Sequence, residues 1–473
     1  MIMADMADRL TRRVERVQSS VSEALFEPVI RLGVTGLSRA GKTVFITSLI
    51  ANLIDRGRMA QLQSAPRIEA AWLRPQPDDT VARFDYEAHL GAITAPDPHW
   101  PQSTRAVSQL RLSLRMRPGG LLGPITGSRI VHLDIIDYPG EWLLDLALLD
   151  RSFAQWSDIT LARIATRPEA AGFRTALGAA DPAAPHDEAV ARGLAESYTD
   201  YLHAARAAGY SDCTPGRFVL PGELAGSPVL TFAPMPRPDG SPRRGALWRE
   251  MERRYESYKS RIVKPFFRDH FARIDRQVVL VDALGAIGAG PRALEDLRTT
   301  MADILGAFRP GRNAFISQIL RGRRVEKILF AATKADHLHH VQHPQLAAIM
   351  EALVKEARAR ADFSGAKTAA MAIASLRATT EEMIRHDGHD LPCVRGRIAL
   401  PEGGDKQAAF YPGALPDDPA QLLGPARGGA EAWLDAGYDA MRFLPARLNL
   451  RPGEGPPHIR LDRAADFLIG DRL

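Results

Sequence analysis

The chain has 473 residues, of which 45% are hydrophobic and 25% charged, and its formal net charge is +5. This length predicts a core enlarged by insertions or by a companion domain, and the composition excludes a largely disordered chain. So small a charge over this length is only a weak indication of nucleic acid or anionic lipid, and nucleic acid is not an expected partner.

The two cysteines, Cys213 and Cys393, lie far apart without metal-type spacing, which argues against a disulfide framework and against a zinc site. Residues 1–25 contain no apolar stretch of the kind that a secretory signal needs. No run in the sequence approaches the roughly 18 apolar residues of a membrane-spanning helix. We therefore expect a cytoplasmic protein.

Residues 1–27 form the first predicted unit, an amphipathic helix over 5–26. One interpretation is that this helix packs on the core. The other is a peripheral membrane contact, although its polar face mixes Asp and Glu with Arg. The apolar residues recur at steps of three and four along the helix, and they are Met6, Leu10, Val14, Val17, Val21 and Leu25.

A short buried strand is predicted over residues 29–35, and a phosphate-type loop follows it, Gly36-Leu-Ser-Arg-Ala-Gly41-Lys42-Thr43, with a helix after it. The loop matches G-x-x-x-x-G-K-[ST], in which glycines let main-chain N–H groups turn towards phosphate oxygens at a helix N-terminus. Its position between a strand and a helix favours a functional loop over a chance match. Lys42 would neutralise the β- and γ-phosphates, and Thr43 would ligate Mg²⁺. The predicted nucleotide contacts are Ser38, Arg39, Ala40, Gly41, Lys42, Thr43 and Val44.

Residues 57–104 form a Pro-rich connection longer than ordinary loops, which is typical of a functional loop. Residues 109–116 and 129–137 follow as the two strands of a hairpin, because apolar and polar residues alternate and a Pro-Gly-Gly sequence marks the turn. A helical pattern over 141–163 completes the first part of the predicted core, residues 28–163.

Residues 164–275 are predicted as a large, mostly helical insertion that ends in a long charged segment. Aromatic residues interleave there with Arg and Lys, a pattern that would suit nucleic acid. Such a stripe is more often part of a hydrophobic core, and we favour that interpretation. The aromatic residues are Tyr255, Tyr258, Phe266, Phe267 and Phe271.

After the insertion, strands at 278–281, 328–332 and 368–373 alternate with helices near 291–307 and 344–360. This alternation predicts an α/β fold with a doubly wound, mostly parallel sheet that is covered on both faces, with one antiparallel strand from the hairpin.

The second part of the predicted core spans residues 276–390. From residue 391 the pattern changes to Pro/Gly loops and short strands, at 393–398 and 441–448. Residues 391–473 are therefore predicted as a small C-terminal α+β extension that packs on the core.

The second motif is Asp137-Tyr-Pro-Gly140, at the end of a hairpin strand. It delivers a carboxylate to the edge of the sheet, where a metal ion can be held through water. Gly140 can bring its N–H to a γ-phosphate. A competing D-x-x-G begins at Asp282 on the next strand, where an aspartate would cap a loop. We favour Asp137, because it follows the phosphate loop and the first helix in order.

The third motif is Thr333-Lys334-Ala335-Asp336, placed directly after the strand over 328–332. A carboxylate there would accept both N1–H and N2–H₂ of guanine, a donor pair that adenine lacks. Lys334 can lay its aliphatic stem over the base. Lysine is scarce in this chain, so its presence in both nucleotide motifs favours a chemical role over a solvated surface turn.

In this order and on these elements, the three motifs resemble the Ras-like branch of P-loop GTPases. The strings Trp100-Pro-Gln-Ser-Thr104, Asp137-Tyr-Pro-Gly-Glu141-Trp142 and Thr333-Lys-Ala-Asp336-His337, with the closing Leu461-Asp462 to Gly470-Asp471, are similar to the bacterial YcjX-like family over most of the chain. The resemblance implies a cytoplasmic, stress-associated P-loop NTPase that binds guanine nucleotide and carries a large helical insertion.

The resemblance also implies further site residues. Thr104 would be the Mg²⁺ ligand of the mobile loop, beside Thr43 and Asp137. Ser375 and Leu376 would lie in the last loop touching the guanine edge, and His337 would follow the base motif.

Two positions depart from the usual Ras-like pattern. Thr333 stands where Asn is usual, so the hydrogen bond that braces the base loop would be weaker. Glu141 occupies the place where many GTPases keep a water-orienting Gln, and an ionised Glu can only accept hydrogen bonds.

The leading hypothesis is a Mg²⁺-dependent GTPase in which residues 57–104 are the switch. A site without a good water-positioning donor should hydrolyse GTP slowly. The alternatives are an ATPase, or a nucleotide-gated or non-hydrolysing scaffold whose insertion or N-terminal helix binds a protein effector or a membrane. The predicted catalytic residues are Lys42, Thr104, Gly140 and Glu141, and the candidates for an internal charge stabiliser are Arg39 and Arg105.

Four histidines follow the base motif, namely His337, His339, His340 and His343. They could hold a metal ion, but they follow the base motif in a loop with no acidic or cysteine partner nearby. Packing beside the nucleotide is the favoured interpretation.

Overall fold

The computed structural model describes residues 27–36, 40–102, 106–118, 127–269, 273–306, 325–363, 366–433, 438–439 and 441–473. The N-terminal helix predicted over 5–26 lies outside these residues.

One eight-stranded sheet forms the centre of the molecule. Across the sheet the strand order is β2-β4-β5-β1-β6-β7-β8, with β3 beside β4. The run β5-β1-β6-β7-β8 is parallel and β4 pairs antiparallel with β5, which confirms the predicted sheet and its antiparallel hairpin strand. The strands are β1 (Val29–Gly36), β2 (Ile68–Arg74), β3 (Ala82–Arg83), β4 (Ser108–Met116), β5 (Arg129–Asp137), β6 (Arg276–Val281), β7 (Lys327–Ala332) and β8 (Lys367–Ala372).

The α-helices up to the end of the insertion are α1 (Lys42–Ile54), α2 (Tyr86–Thr94), α3 (Gly140–Leu144), α4 (Phe153–Ile164), α5 (Ala171–Gly178), α6 (Glu188–Ala207), α7 (Gly216–Val219), α8 (Leu247–Tyr258) and α9 (Lys264–Asp269). Those that follow are α10 (Ala283–Gly288), α11 (Pro291–Gly306), α12 (His343–Phe363), α13 (Ala420–Arg427) and α14 (Leu461–Ala465).

Strand β6 shows that both faces of the sheet are covered. All of its residues are buried. Successive side chains of a strand point to opposite faces, and here Val279 and Val281 pack in one core cluster while Val278 and Leu280 pack in the other. The first cluster includes the insertion helices with α11 and α12, and the second includes α1 and α14.

The aromatic stripe at the end of the insertion is part of the first core cluster. Tyr255 and Tyr258 are fully buried, and Phe266 and Phe267 are no more than 8% exposed. These rings pack against one another and against other aromatic residues, so they are not available for stacking on nucleic acid bases. Phe271 lies outside the described residues.

The connection over 57–104 is more structured than its sequence predicts. It contains β2, β3 and α2, and β2 extends the central sheet by pairing antiparallel with β4. Apolar residues Ile68, Leu73 and Ile93 anchor these elements in or against the core. The described part of this stretch, residues 57–102, therefore consists of two strands and a helix joined by loops.

A second, three-stranded antiparallel sheet consists of β9 (Thr379–His386), β10 (His389–Ala399) and β11 (Asp405–Phe410). The strand predicted over 393–398 is the centre of β10. The strand predicted over 441–448 was wrong, because these residues, all of them described, form no strand pairing.

The physical reason for this error lies in the backbone of the segment. A single main-chain bond joins Leu444 N–H to Arg397 O at 2.8 Å, and Pro445 has no N–H with which to continue a ladder.

Within the part of the chain that the structure describes, no helix combines the length and the apolar character that crossing a membrane requires.

Candidate nucleotide-binding site

The phosphate-type loop joins the end of β1 to the start of α1. Gly41 precedes the helix in the left-handed region, at φ 76° and ψ 28°, which favours glycine. Among the described residues no side chain caps this helix, and its first turn carries no acidic residue. The main-chain N–H groups of the first turn of α1 therefore face the space beyond the carboxyl edge of the sheet. Anion sites at helix N-termini have this arrangement.

The first glycine of the loop is required for close packing. A Cβ on Gly36 would lie 3.1 Å from Leu280 Cβ and 3.2 Å from Ala40 Cβ. Ala40 is itself buried. A larger residue at position 36 would push the loop away from β6. The predicted contacts Ser38 and Arg39 lie outside the described residues.

Lys42 and Asp137 meet at the carboxyl edge of the sheet. Lys42 begins α1, directly after the loop that follows β1, and Asp137 ends β5, the parallel neighbour of β1, with Val34 opposite Asp137. The Lys42 ammonium contacts the Asp137 carboxylate directly, and the two side chains are 11% and 1% exposed. The structure thus brings the phosphate loop and the first D-x-x-G together at this edge.

The oxygen atoms beside this pair suit a hard divalent cation. Thr43 is buried in the first turn of α1, and Asp137 offers a carboxylate whose Oδ2 lies 3.5 Å from Ser108 Oγ. Hydroxyl and carboxylate oxygens are the protein ligands that Mg²⁺ takes. Val44 follows Thr43 and is partly buried. Thr104, the third predicted metal ligand, lies outside the described residues.

Gly140 begins α3 directly after the Asp137 turn and is buried. The turn is anchored from below, because Tyr138 Oη donates to Gln277 Oε1 at 2.9 Å. Glu141 follows with a side chain that is 8% exposed, and its carboxylate pairs with Arg206 of the insertion at 2.8 Å. This partner of Glu141 was not predicted from the sequence.

The base motif follows β7 as a tight turn. Thr333 N–H donates to Val281 O at 2.9 Å, and its Oγ1 lies 3.3 Å from the same oxygen. Lys334 has a φ of 60°, unusual for a residue other than glycine. Asp336 is 4% exposed, and its Oδ2 accepts the N–H of Ala378 at 2.9 Å. This bond fixes the direction of the carboxylate.

The loop after β8, which contains Ser375 and Leu376, lies against the base motif. Both residues are nearly buried, at 8% and 3% exposed. Ala335 N–H donates to Ile373 O at 3.0 Å, just before them in the chain.

The C-terminal segment 453–460 braces both sides of the site. Ala374 and Ile459 exchange two main-chain hydrogen bonds, of 3.0 and 2.8 Å, beside the base loop. Asn52, near the end of α1, donates its side-chain N–H to Pro456 O at 3.0 Å. The segment therefore joins the helix that follows the phosphate loop to the loop that faces the base.

Asp282 caps the start of α10, as its position suggests, and it also contacts the base motif. Its side chain accepts the N–H of Gly285 at 3.0 Å at the start of α10. It also forms an ion pair with Lys334 of the base motif. The second D-x-x-G therefore supports the base side of the site.

Packing explains two of the four histidines. His343 Nε2 lies 2.8 Å from Ala335 O and 3.2 Å from Leu338 O, so it braces the base loop. His337 packs edge-on against the ring of Phe443, with centroids 5.2 Å apart. Burial lowers the pKa of His337.

The other two histidines have an acidic neighbour that is distant in sequence. Glu381 of β9 lies 2.5 Å from His340 Nδ1 and 3.9 Å from His339 Nε2. The prediction that these histidines have no acidic partner nearby was therefore wrong. Val341 N–H donates to His339 Nδ1 at 3.5 Å, and the other ring nitrogen, Nε2, faces Glu381. The ligand atoms of these three side chains lie within 4.8 Å of one another, so the cluster has the spacing of a possible metal site.

Helix α2 places part of the 57–104 connection beside the phosphate side. Burial lowers the pKa of His89 in this helix, while the charge of Asp137 raises it and that of Lys42 lowers it. His89 therefore lies within electrostatic range of the Lys42–Asp137 pair, a neighbour that the sequence pattern did not indicate.

Comparison with known proteins agrees with this geometry. The family model described as "YcjX-like family, DUF463" matches residues 30–473. The chain is 34% identical over 496 aligned positions to the "Ras-like GTPase YcjX" of Shewanella oneidensis, covering 99% of both proteins. It is 37% identical over 466 positions to the protein of the same name from Escherichia coli, covering 94% of this chain and 96% of that relative. Since these matches span nearly the whole chain and include all three motifs, the protein belongs to the YcjX-like family.

Proposed function

We propose that this protein binds guanine nucleotide with Mg²⁺ and hydrolyses GTP slowly to GDP and phosphate, as a stress-associated switch in the cytoplasm. The observation that carries the proposal is the direct contact of Lys42 with Asp137. It joins the phosphate loop to the D-x-x-G turn at the sheet edge where Asp336 also lies. The names of the two relatives, each a Ras-like GTPase, agree with it.

On the phosphate side, Lys42 would exchange its carboxylate partner for the β- and γ-phosphate oxygens. The N–H groups at the start of α1 would take the remaining phosphate oxygens. Thr43 and Asp137 would hold Mg²⁺, which neutralises charge on the phosphates during transfer. Gly140 would offer its N–H to the γ-phosphate, and Thr104 would complete the site as a further Mg²⁺ ligand.

On the base side, Asp336 would accept N1–H and N2–H₂ of guanine. Its Oδ2 already accepts the N–H of Ala378, so the carboxylate is oriented before a base arrives. Lys334, held by Asp282, would cover one face of the base with its stem. His337, Ser375 and Leu376 would line the remaining edge.

The chemical step should be slow. Glu141 stands where a water-orienting Gln would donate and accept, but an ionised carboxylate only accepts. Its carboxylate is held by Arg206. Phosphoryl transfer depends on positioning and charge stabilisation, so a weak water-positioning group lowers the rate without abolishing binding.

Calorimetric titration of the purified full chain with GDP, GTP and ATP, with and without Mg²⁺, tests the binding proposal. Guanine nucleotides should bind at least roughly 100-fold more tightly than ATP, because adenine leaves the buried Asp336 without its donors. Equal affinity for ATP and GTP would replace the guanine proposal by an ATPase.

The engagement of Glu141 by the insertion favours one second candidate, a nucleotide-gated scaffold that binds a protein or membrane partner without hydrolysis. Single-turnover phosphate release separates the two. Release above the rate of free GTP supports the enzyme, with Lys42→Ala as the inactive control. Tight binding with no release supports the scaffold.

A further inference from the structure

The helical insertion contacts the segment immediately after D-x-x-G through a charge pair. Glu141 is the neighbour of Gly140, and its carboxylate lies 2.8 Å from Arg206 Nη2 of α6. The Glu141 side chain is 8% exposed and that of Arg206 is 25% exposed. A carboxylate this deeply buried is costly unless it is paired. Arg206 therefore determines that Glu141 points towards the insertion.

The backbone of the same segment is in close contact with α7. A Cβ on Gly216 would lie 2.1 Å from Glu141 O and 3.0 Å from Trp142 N, so only glycine permits this approach. The guanidinium of Arg217 covers the Trp142 ring at 3.1 Å from its centroid. Trp142 Nε1 also donates to Leu220 O at 3.2 Å.

The far end of the segment is anchored at Asp145. This carboxylate is buried, accepting the N–H of Gly216 at 2.8 Å and the hydroxyl of Tyr258 at 2.5 Å. Both donors belong to the insertion. The residues from Glu141 to Asp145 are thus held by the insertion along their whole length.

These contacts differ in how easily they can change. Trp142, Asp145, Gly216 and Tyr258 are buried in a packed core, which changes between discrete arrangements rather than deforming continuously. The pair of Glu141 with Arg206 includes the more exposed partner and lies next to Gly140. A shift of Gly140 towards a γ-phosphate would act first on this pair.

We propose that Arg206 is a positioning residue that couples the γ-phosphate at Gly140 to the helical insertion through Glu141. The inference rests on the proposed function, since it requires that Gly140 meets a γ-phosphate. Glu141 is then the residue that transmits the nucleotide state, and the insertion is the part of the protein that changes with it. Because coupling between two sites is reciprocal, loosening the pair also changes the relative affinities for GTP and GDP.

Hydrogen exchange of the full chain, followed by mass spectrometry with GDP and with a non-hydrolysable GTP analogue, tests this coupling. In the unaltered protein, exchange over residues 198–220 should differ between the two nucleotides. Arg206→Gln should remove the difference and shift the ratio of the two dissociation constants by roughly fivefold or more, while both nucleotides still bind.

Two variants separate coupling from general stability. Arg206→Lys keeps a cation for Glu141 and should restore part of the difference in exchange. Arg192 lies exposed on the same helix, so Arg192→Gln is the matched control and should behave like the unaltered protein.

Three results would overturn the inference, and they differ from a failure of the proposed function. The first is an Arg206→Gln variant that keeps the full nucleotide-dependent difference. The second is an unaltered protein that binds both nucleotides and shows no difference over 198–220. The third is an Arg192→Gln variant that loses the difference as Arg206→Gln does. If neither nucleotide binds, the proposed function itself fails and the inference fails with it.

Discussion

Lys42 at the start of α1 and Asp137 at the end of β5 form an ion pair, and both side chains are nearly excluded from water. A buried ion pair is weak support for stability as a pair, but removing Lys42 takes a direct ion-pair partner away from a buried carboxylate. The same two residues that would bind phosphate and Mg²⁺ therefore also contribute to the stability of the protein without nucleotide.

The first prediction follows from that pair. Lys42→Ala should lower the free energy of unfolding without nucleotide by about 1–3 kcal/mol, because the Asp137 carboxylate loses its ammonium. Adding Asp137→Asn should recover most of the loss. Urea denaturation of the two single variants and the double variant measures this, with Lys367→Ala on the exposed start of β8 as the control. Strictly additive losses in the double variant would contradict a coupled pair.

Asp336→Asn should exchange the base that the protein selects. The structure indicates how the substituted Asn would be oriented. Ala378 N–H needs an acceptor, so the side-chain amide oxygen would take the place of Asp336 Oδ2 in this hydrogen bond. The amide N–H₂ then faces the base, where it suits the 2-oxo group of xanthine. GTP affinity should fall by roughly 100-fold, since charge-assisted hydrogen bonds of about 1.5–3 kcal/mol each are lost. Titration with GTP and xanthosine triphosphate measures the exchange.

Asp390→Asn, on the exposed part of β10, is the matched control for this prediction. It should leave both affinities unchanged. An Asp336→Asn variant that keeps its preference for GTP would place base selection elsewhere.

Asp145 should make stability depend on pH. Burial raises its pKa from 3.8 to about 7, although hydrogen bonds from Tyr258 and Gly216 act in the opposite direction. A raised pKa in the folded state means that the folded protein holds this proton more tightly. The resulting stability is complete below the unfolded value near 4, and it is lost as pH rises to about 7.

Asp145→Asn resembles the protonated form and should not lose this stability. The free energy of unfolding of the variant, relative to that of the unaltered protein, should therefore rise by about 1.4 kcal/mol per pH unit as pH increases towards the folded-state pKa of Asp145. Above that pKa the difference should stay constant. Urea denaturation at a series of pH values between 5 and 8 gives the difference. Parallel pH profiles for the two proteins would contradict the prediction.

Gly216→Ala should destabilise the fold by about 1–3 kcal/mol, since its Cβ would overlap main-chain atoms that cannot move independently. The nearest of these is Glu141 O, 2.1 Å from the added atom. Gly193 is the matched control, because it lies in α6 with nothing within 4 Å of the position of a Cβ. Gly193→Ala should raise stability by about 0.5–1 kcal/mol through helix propensity. Equal effects at both positions in chemical denaturation would show that the close approach is not limiting.

The central sheet could be predicted because its signals are local. Strand β6 is buried on both faces and contains a continuous apolar run over residues 278–281. The order of strands and helices further restricts the topology. The phosphate loop, the Asp137 turn and the base motif each follow such a strand, so their convergence at one edge follows from parallel pairing.

The β9–β10 hairpin was missed although its signal is present. Asp387 and Gly388 have φ values of 50° and 82°, and Asp-Gly between two strands is a strong hairpin signal. Charged residues occupy much of β9, so the alternation of apolar and polar residues is weak there. The Asp387-Gly388 turn is thus a stronger signal for this hairpin than the alternation of residues in β9.

Other features have no local signature. Arg206 and Glu141 belong to different parts of the sequence, as do Lys334 and Asp282, and neither pair follows a helical or strand spacing. Side-chain pairing over such separations is decided by the packing of whole elements. The roles of Glu141 and Asp282 could be assigned only after the insertion and β6 had been placed.

The two main-chain bonds between Ala374 and Ile459, with that of Asn52 to Pro456, have a consequence for synthesis on the ribosome. All three nucleotide motifs emerge long before residues 456–459 do. Until residues 456–459 leave the exit tunnel, Ala374 in the loop after β8 lacks its hydrogen bonds to Ile459, and Asn52 in α1 lacks its acceptor, Pro456 O. A nascent or truncated chain that stops before residue 456 would thus carry all three motifs without the contacts that hold the end of α1 and the loop after β8.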